Sequence, residues 1–179
     1  TTCLYCSFPS YPAGKNKAAP YLAALREELR LTAERMADRR LDAVYVGGGT
    51  PTSLTAEELR ALLLFVRETF DFSACREFTV EAGRPDSITR EKLLALREAG
   101  VDRISINPQT LKQATLDLIG RFHTVEQFTE SFALARELGF DNINTDLIMG
   151  LPNETEADVR CTMEGIRALS PDDVTIHSL

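Results

Sequence analysis

Three shortages narrow the field before any motif is read. Long apolar runs are lacking: the longest covers residues 61–66, far short of the ~18 residues a membrane-spanning helix needs. Positive charge is short too. Lys and Arg number 20 against 27 Asp and Glu, a net charge of −7, and no cationic cluster or aromatic stacking run breaks the acidic background. Nucleic-acid binders neutralise phosphates with clustered Lys and Arg, so no nucleic acid partner is expected. Cysteine is scarce: Cys3, Cys6, Cys75 and Cys161 are too few and too scattered for a secreted disulfide framework. With no signal, transit or lipidation segment visible, a reducing, cytoplasmic setting is expected. The chain opens on Thr1 with no methionine, two residues from a cysteine pair, which reads as a fragment with its true N-terminus cut away.

What is present is a globular composition, 44% hydrophobic and 26% charged, arranged as alternating strand and helix patterns. Residues 21–38 carry Leu22, Leu25, Leu29, Ala33 and Met36 at helical spacing. Residues 43–46 read as a strand closed by three glycines, and Thr55-Ala-Glu-Glu58 is a capping box opening a helix with Leu59, Leu62, Leu63 and Val66 on one face. Strand 77–81 and helix 89–99 follow, the latter stopped by Gly100; then come strand 103–106 and a short helix over 111–119. Thr124-Val-Glu-Gln127 opens a longer helix ending at Gly139, and strand 142–149 follows. Thr155 caps a helix expected to turn Val159, Met163 and Ile166 inward, before a last strand over 173–177.

Such alternation implies βαβ units and a parallel sheet. The unusual polar residues fall at or just after successive strand ends: Gly47 to Thr50, Glu81, Asn107 and Gln109, Asp146, His177. A barrel builds one site on one face in this way, whereas an open sheet concentrates its site at one switch point. The expectation is a barrel, incomplete at both ends.

Singly, the residues leave several chemistries open. Cys3-Leu-Tyr-Cys6 fits a redox pair, half a zinc site or part of an iron–sulfur site. Residues 7–14 read as a loop that cannot be helical, which counts against the redox pair, and no paired ligands support zinc; Cys75 and Cys161 read as buried or partly buried thiols. Gly47-Gly48-Gly49-Thr50 suits either a tight turn or a small cofactor approached by backbone amides. Glu81 and Asp146 suit ligand binding or ordinary partners. His123 reads as the residue leading into a helix, and His177 as a polar strand group.

Together and in order, Cys3-Leu-Tyr-Cys6, Gly-Gly-Gly-Thr-Pro-Thr52, Val80-Glu81, Ile-Gly-Arg-Phe-His123 and Asp-Leu-Ile-Met-Gly-Leu-Pro152 resemble the radical S-adenosylmethionine (SAM) enzymes. More narrowly they resemble the oxygen-independent coproporphyrinogen III oxidase/dehydrogenase-like family; Glu-Ala-Gly-Arg-Pro-Asp-Ser87 and Ile-Asn-Pro-Gln-Thr110 are similar to its dehydrogenase-like branch. The resemblance implies a partial (βα)6 TIM-like α/β barrel, truncated at both termini. Residues 1–179 then form one radical SAM core fragment without its first strand. Cys3 and Cys6 match the second and third cysteines of the CxxxCxxC motif that holds a [4Fe–4S] cluster, the first falling ahead of Thr1. Tyr5 would pack by the SAM adenine, and Gly48, Gly49 and Thr50 would meet its methionine part. Glu81, Gln109, Arg121 and Asp146 match the remaining SAM-contacting positions.

The implied chemistry is reductive cleavage of SAM, then oxidative decarboxylation of coproporphyrinogen III to protoporphyrinogen IX, with an electron donor as partner and no acid–base residue assigned. A haem carrier of the same lineage, another radical SAM substrate and a thiol oxidoreductase are the competing expectations. A tetrapyrrole with four carboxylates would need local positives, for which Lys15, Lys17 and Arg84 are the candidates.

Overall fold

The computed structural model of the chain describes residues 3–6 and 17–179; the loop expected over residues 7–14, and Lys15, lie outside the described residues. The elements alternate as α1 (Ala18–Arg35), β1 (Ala43–Val46), α2 (Ala56–Thr69), β2 (Glu77–Glu81), α3 (Arg90–Glu98), β3 (Arg103–Ser105), α4 (Gln113–Leu118), α5 (Val125–Glu137), β4 (Ile143–Met149), α6 (Glu156–Leu169) and β5 (Asp173–Ser178). Short 3₁₀ turns at Pro51–Ser53 and Pro85–Ser87 follow β1 and β2.

Local chemistry sets these boundaries. Thr55, Thr124 and Thr155 each accept from the amide three residues on, while the side chain at that position returns a bond to the threonine amide, giving three capping boxes. Helix α3 ends where Gly100 adopts φ 77°, and Val101 N–H then bonds Leu96 O at 3.0 Å. Helix α1 starts earlier than the expected residue 21, because Pro20 in its first turn surrenders an amide that has no helical acceptor anyway. It also stops earlier, at Arg35: Met36 turns extended, and the Arg39 side chain caps the Ala33 carbonyl at 3.0 Å.

The five strands form one parallel sheet in the order β1-β2-β3-β4-β5, each paired only with its sequence neighbours. Consecutive order without a reversal is the winding of a barrel, not of a doubly wound sheet. Strand alternation sorts the two faces. Phe78 and Val80, Ile104 and Ile106, and Ile143 and Leu147 pack against Leu59, Leu63, Leu93, Leu96, Phe128, Phe132 and Ile166 of the helices in one core. The opposite face is polar along its length: Tyr45, Thr79, Glu81, Ser105, Asn107, Asn144, Asp146, Thr175 and His177.

Two expectations on α6 fail. Met163 is 37% exposed, and Thr162 takes the buried place instead, accepting from the Leu111 amide at 3.2 Å. Polar Thr162 was passed over in tracing an apolar stripe. Cys161, on the same outward turn, is exposed rather than buried.

Candidate cofactor site

The loops that leave the C-terminal ends of the strands gather the residues singled out in the sequence. Cys3 to Cys6 form a turn, closed by the Cys6 N–H to Cys3 O bond at 3.2 Å and tied to α4 by Leu4 N–H to Ile119 O at 2.9 Å. Both thiols are free, Cys3 half-buried and Cys6 exposed. Arg121, 5% exposed, braces this turn from behind. Its Nη1 donates to the Tyr5 hydroxyl at 3.3 Å and lies 3.9 Å from Cys3 Sγ. Its Nη2 donates to Gly83 O at 2.7 Å and Asn107 O at 2.5 Å. One guanidinium therefore ties the cysteine turn to the loops after β2 and β3. Burial raises the Tyr5 phenol above its ordinary pKa against the pull of Arg121.

Glu81 closes β2 and reaches across to β1. One carboxylate oxygen accepts from Gly48 N–H at 3.1 Å and the other from the Tyr45 hydroxyl. Burial and the Glu81 carboxylate push the Tyr45 phenol well above its usual range. Gly48 needs to be glycine, since it sits at φ 106°. At Gly48 and Gly49 a Cβ would meet nothing within 4 Å, so open space lies beside this backbone. Thr50 precedes the Pro51–Ser53 turn and lends it a carbonyl, to Ser53 N–H at 2.8 Å.

Asp146, on β4, is held by two asparagine amides: Asn107 Nδ2 at 2.9 Å and Asn144 Nδ2 at 2.7 Å. The Asp146 amide returns a bond to Asn107 Oδ1 at 3.2 Å, and His177 Nε2 lies 3.8 Å away. Gln109 is bound to the same strand through its main chain, donating to Asp146 O at 3.1 Å and accepting from Ile148 N–H at 2.9 Å. It holds φ 71° without being glycine, a strain of about 1–2 kcal/mol. Its buried Oε1 has no partner among the described residues.

The structure thus joins Cys3, Tyr5 and Arg121 directly, Glu81 to Gly48 directly, and Gln109 to Asp146 through backbone. Asn107 links the first and third of these groups, because its carbonyl meets Arg121 and its side chain meets Asp146. Cys6 and Thr50 have no side-chain partner among the described residues. The sequence reading missed Tyr45, which pairs with Thr79 two residues before Glu81, and Asn144, two residues before Asp146 on the same strand; both carried little signal. Asn107 it saw only as a strand-end polar group.

These features fit a [4Fe–4S] cluster and SAM. Two free thiols sit on a turn braced by a cation, a glycine stretch stands beside open space, and a strained Gln109 holds a buried acceptor with no partner among the described residues. Among the described residues no group of three His, Cys, Asp or Glu side chains is assembled as a metal site.

A sequentially wound parallel α/β barrel fragment, with a cysteine turn and a glycine loop on the C-terminal face, defines a cofactor-dependent barrel class. Within it, the chain belongs to the radical SAM superfamily, whose family model matches residues 1–165. That membership carries a [4Fe–4S] cluster and SAM as its cofactors. The chain is 44% identical over 184 residues to the oxygen-independent coproporphyrinogen-III oxidase-like protein HemZ of Bacillus subtilis, covering 100% of this chain and 37% of that one. It is 37% identical to the heme chaperone HemW of the same organism, covering 99% of this chain and 47% of that one. The structure of Escherichia coli HemN, described as a coproporphyrinogen III oxidase and radical SAM enzyme, superposes with a TM-score of 0.91 at 31% identity, over 99% of this chain and 41% of that one. The chain thus spans less than half the length of these relatives.

Proposed function

We propose that the protein is a radical SAM oxidoreductase of the coproporphyrinogen oxidase lineage, acting on a tetrapyrrole in haem biosynthesis. The reaction it supports best is oxidative decarboxylation of coproporphyrinogen III to protoporphyrinogen IX. The observation that carries the reading is the Cys3–Arg121–Asn107–Asp146 framework, in a chain 44% identical to an oxidase-like relative. When bound, the cluster and SAM supply one-electron reductive cleavage of the sulfonium C–S bond.

The chain's own residues bind and orient. Cys3 and Cys6 act as thiolate ligands, and Tyr5 packs by the adenine. Gly48, Gly49 and Thr50 offer amides and a hydroxyl to the methionine part. Glu81 and Asp146, each fixed by two nearby donors, suit the ammonium or the ribose hydroxyls. Arg121 suits the carboxylate, and Gln109 Oε1 accepts from a bound donor. The polar face keeps SAM in one orientation while the loops exclude water.

A second reading, a haem-binding chaperone, is favoured by the 37% identity to HemW across 99% of this chain. Full-length protein with its cluster restored, given coproporphyrinogen III, SAM and a reductant without oxygen, discriminates the two. Carbon dioxide and protoporphyrinogen support the oxidase. Stoichiometric haem binding with no decarboxylation supports the carrier.

A further inference from the structure

Lys92 stands in the first turn of α3, where the helix dipole disfavours a cation. Its ammonium reaches outward instead, donating to Thr52 O at 2.6 Å and Ser87 O at 3.0 Å. These carbonyls close the two 3₁₀ turns that follow β1 and β2. The turns are joined a second time beneath the ammonium. Ser87 Oγ–H donates to Arg84 O at 2.8 Å, so its single proton is spent, and the 2.6 Å contact with Thr52 Oγ1 has Thr52 as donor. Thr52 is fully buried. Burial lowers the Lys92 pKa below its ordinary value.

Within the glycine stretch Gly47 is packed, its Cβ direction closed by Tyr45 and Glu81, but the Cβ positions of Gly48 and Gly49 meet nothing within 4 Å, so this part of the loop has no packing of its own. Its shape is set from outside at two points. Glu81 holds Gly48 N–H on one side, and the Lys92 latch holds Thr52 on the other.

We propose that Lys92 is a positioning residue for the cofactor loop, fixing residues 47–50 in the shape in which their amides and the Thr50 hydroxyl receive the methionine part of SAM. The role rests on the reading of that loop as part of the SAM site. Lys92 touches no cofactor; it acts through Thr52. It belongs to a series in which a cation ties each loop to the next: Arg121 spans Gly83 O and Asn107 O, and Lys112 reaches Asn153 O and Asp158 at 2.8 Å each.

The test uses full-length protein with its cluster restored anaerobically and left unreduced, titrated with SAM by calorimetry. Lys92→Met is expected to weaken SAM about tenfold at unchanged iron content, the scale of losing a charged hydrogen-bond latch. Lys92→Arg keeps charged donors and is expected within about threefold of the native protein. Phe140→Leu, a core substitution away from the C-terminal loops, controls for stability: it is expected to lower the melting temperature while leaving SAM affinity unchanged. If Lys92→Met does not fold, Lys92→Gln, which keeps N–H donors without the charge, carries the same expectation of weakened binding. Native affinity in the neutral variant, or equal weakening in Phe140→Leu, overturns the proposal. Failure of the iron-loaded native protein to bind SAM at all overturns the reading of the loop as well, and so is told apart from failure of Lys92 alone.

Discussion

Acid should destabilise this fold through one histidine that does no chemistry. His123 is fully buried beside the Arg121 brace, and neither ring nitrogen meets a partner at ordinary hydrogen-bond geometry among the described residues. Burial, aided by the Arg121 cation and opposed by Asp86 and the Pro108 main chain, pulls its pKa from 6.5 down to about 4. As pH falls, the unfolded chain therefore takes up this proton before the folded one. The stability held by the neutral ring is intact above about pH 6.5, declines as pH falls toward 4, and changes no further below that. The gap between 6.5 and about 4 amounts to about 3 kcal/mol in full, of which about 2 kcal/mol is lost between pH 7 and pH 5. His123→Leu has similar volume and strands no polar partner. Urea unfolding of the cluster-free protein at pH 7, 6 and 5 compares the two, and carboxylate titrations common to both cancel in the difference. The variant is expected to gain about 2 kcal/mol on the native protein between pH 7 and pH 5. Parallel losses in the two proteins would refute the reasoning.

Other substitutions probe the core and the polar face. Phe128→Ala empties a fully buried site against Phe132, 6.2 Å away between ring centroids, and is expected to cost about 3–5 kcal/mol in chemical denaturation. Asp146→Asn turns one of two acceptors into a donor facing an asparagine amide; a loss of about 2 kcal/mol is expected, against almost none if the carboxylate were merely solvated. Arg121→Ala is expected to weaken SAM binding without removing iron, read by calorimetry and iron analysis; unchanged affinity would remove Arg121 from the site.

Much of the fold was legible because its signals are local. The threonine capping boxes at 55 and 124 and the left-handed glycines at 100 and 139 each act within a few residues, and all four are realised as expected. The strand ends were legible because polar residues interrupt apolar runs there. What escaped depends on partners far away in sequence. Thr162 is buried because the Leu111 amide lies opposite, 51 residues away, and an apolar-stripe reading gave its place to Met163. Lys92 reads as an ordinary helix lysine until the turns at Pro51–Ser53 and Pro85–Ser87 bring two carbonyls beneath it. Asn107 needs both Arg121 and Asp146 in view before it becomes the link between cysteine turn and polar face. The resemblance named the positions of Arg121 and Gln109 but not their supports: two carbonyls for the guanidinium, and a left-handed backbone for the glutamine.

The central claim is that the Cys3–Cys6 turn and the glycine loop beside Glu81 form one site for reductive SAM cleavage. Its most direct test is chromatographic detection of 5′-deoxyadenosine after full-length protein, with its cluster restored without oxygen, is mixed with SAM and dithionite. The nucleoside is expected to accumulate with the native protein and to drop to background in Cys3→Ser. No nucleoside from native protein carrying its full iron complement, or equal yield from Cys3→Ser, would contradict the claim.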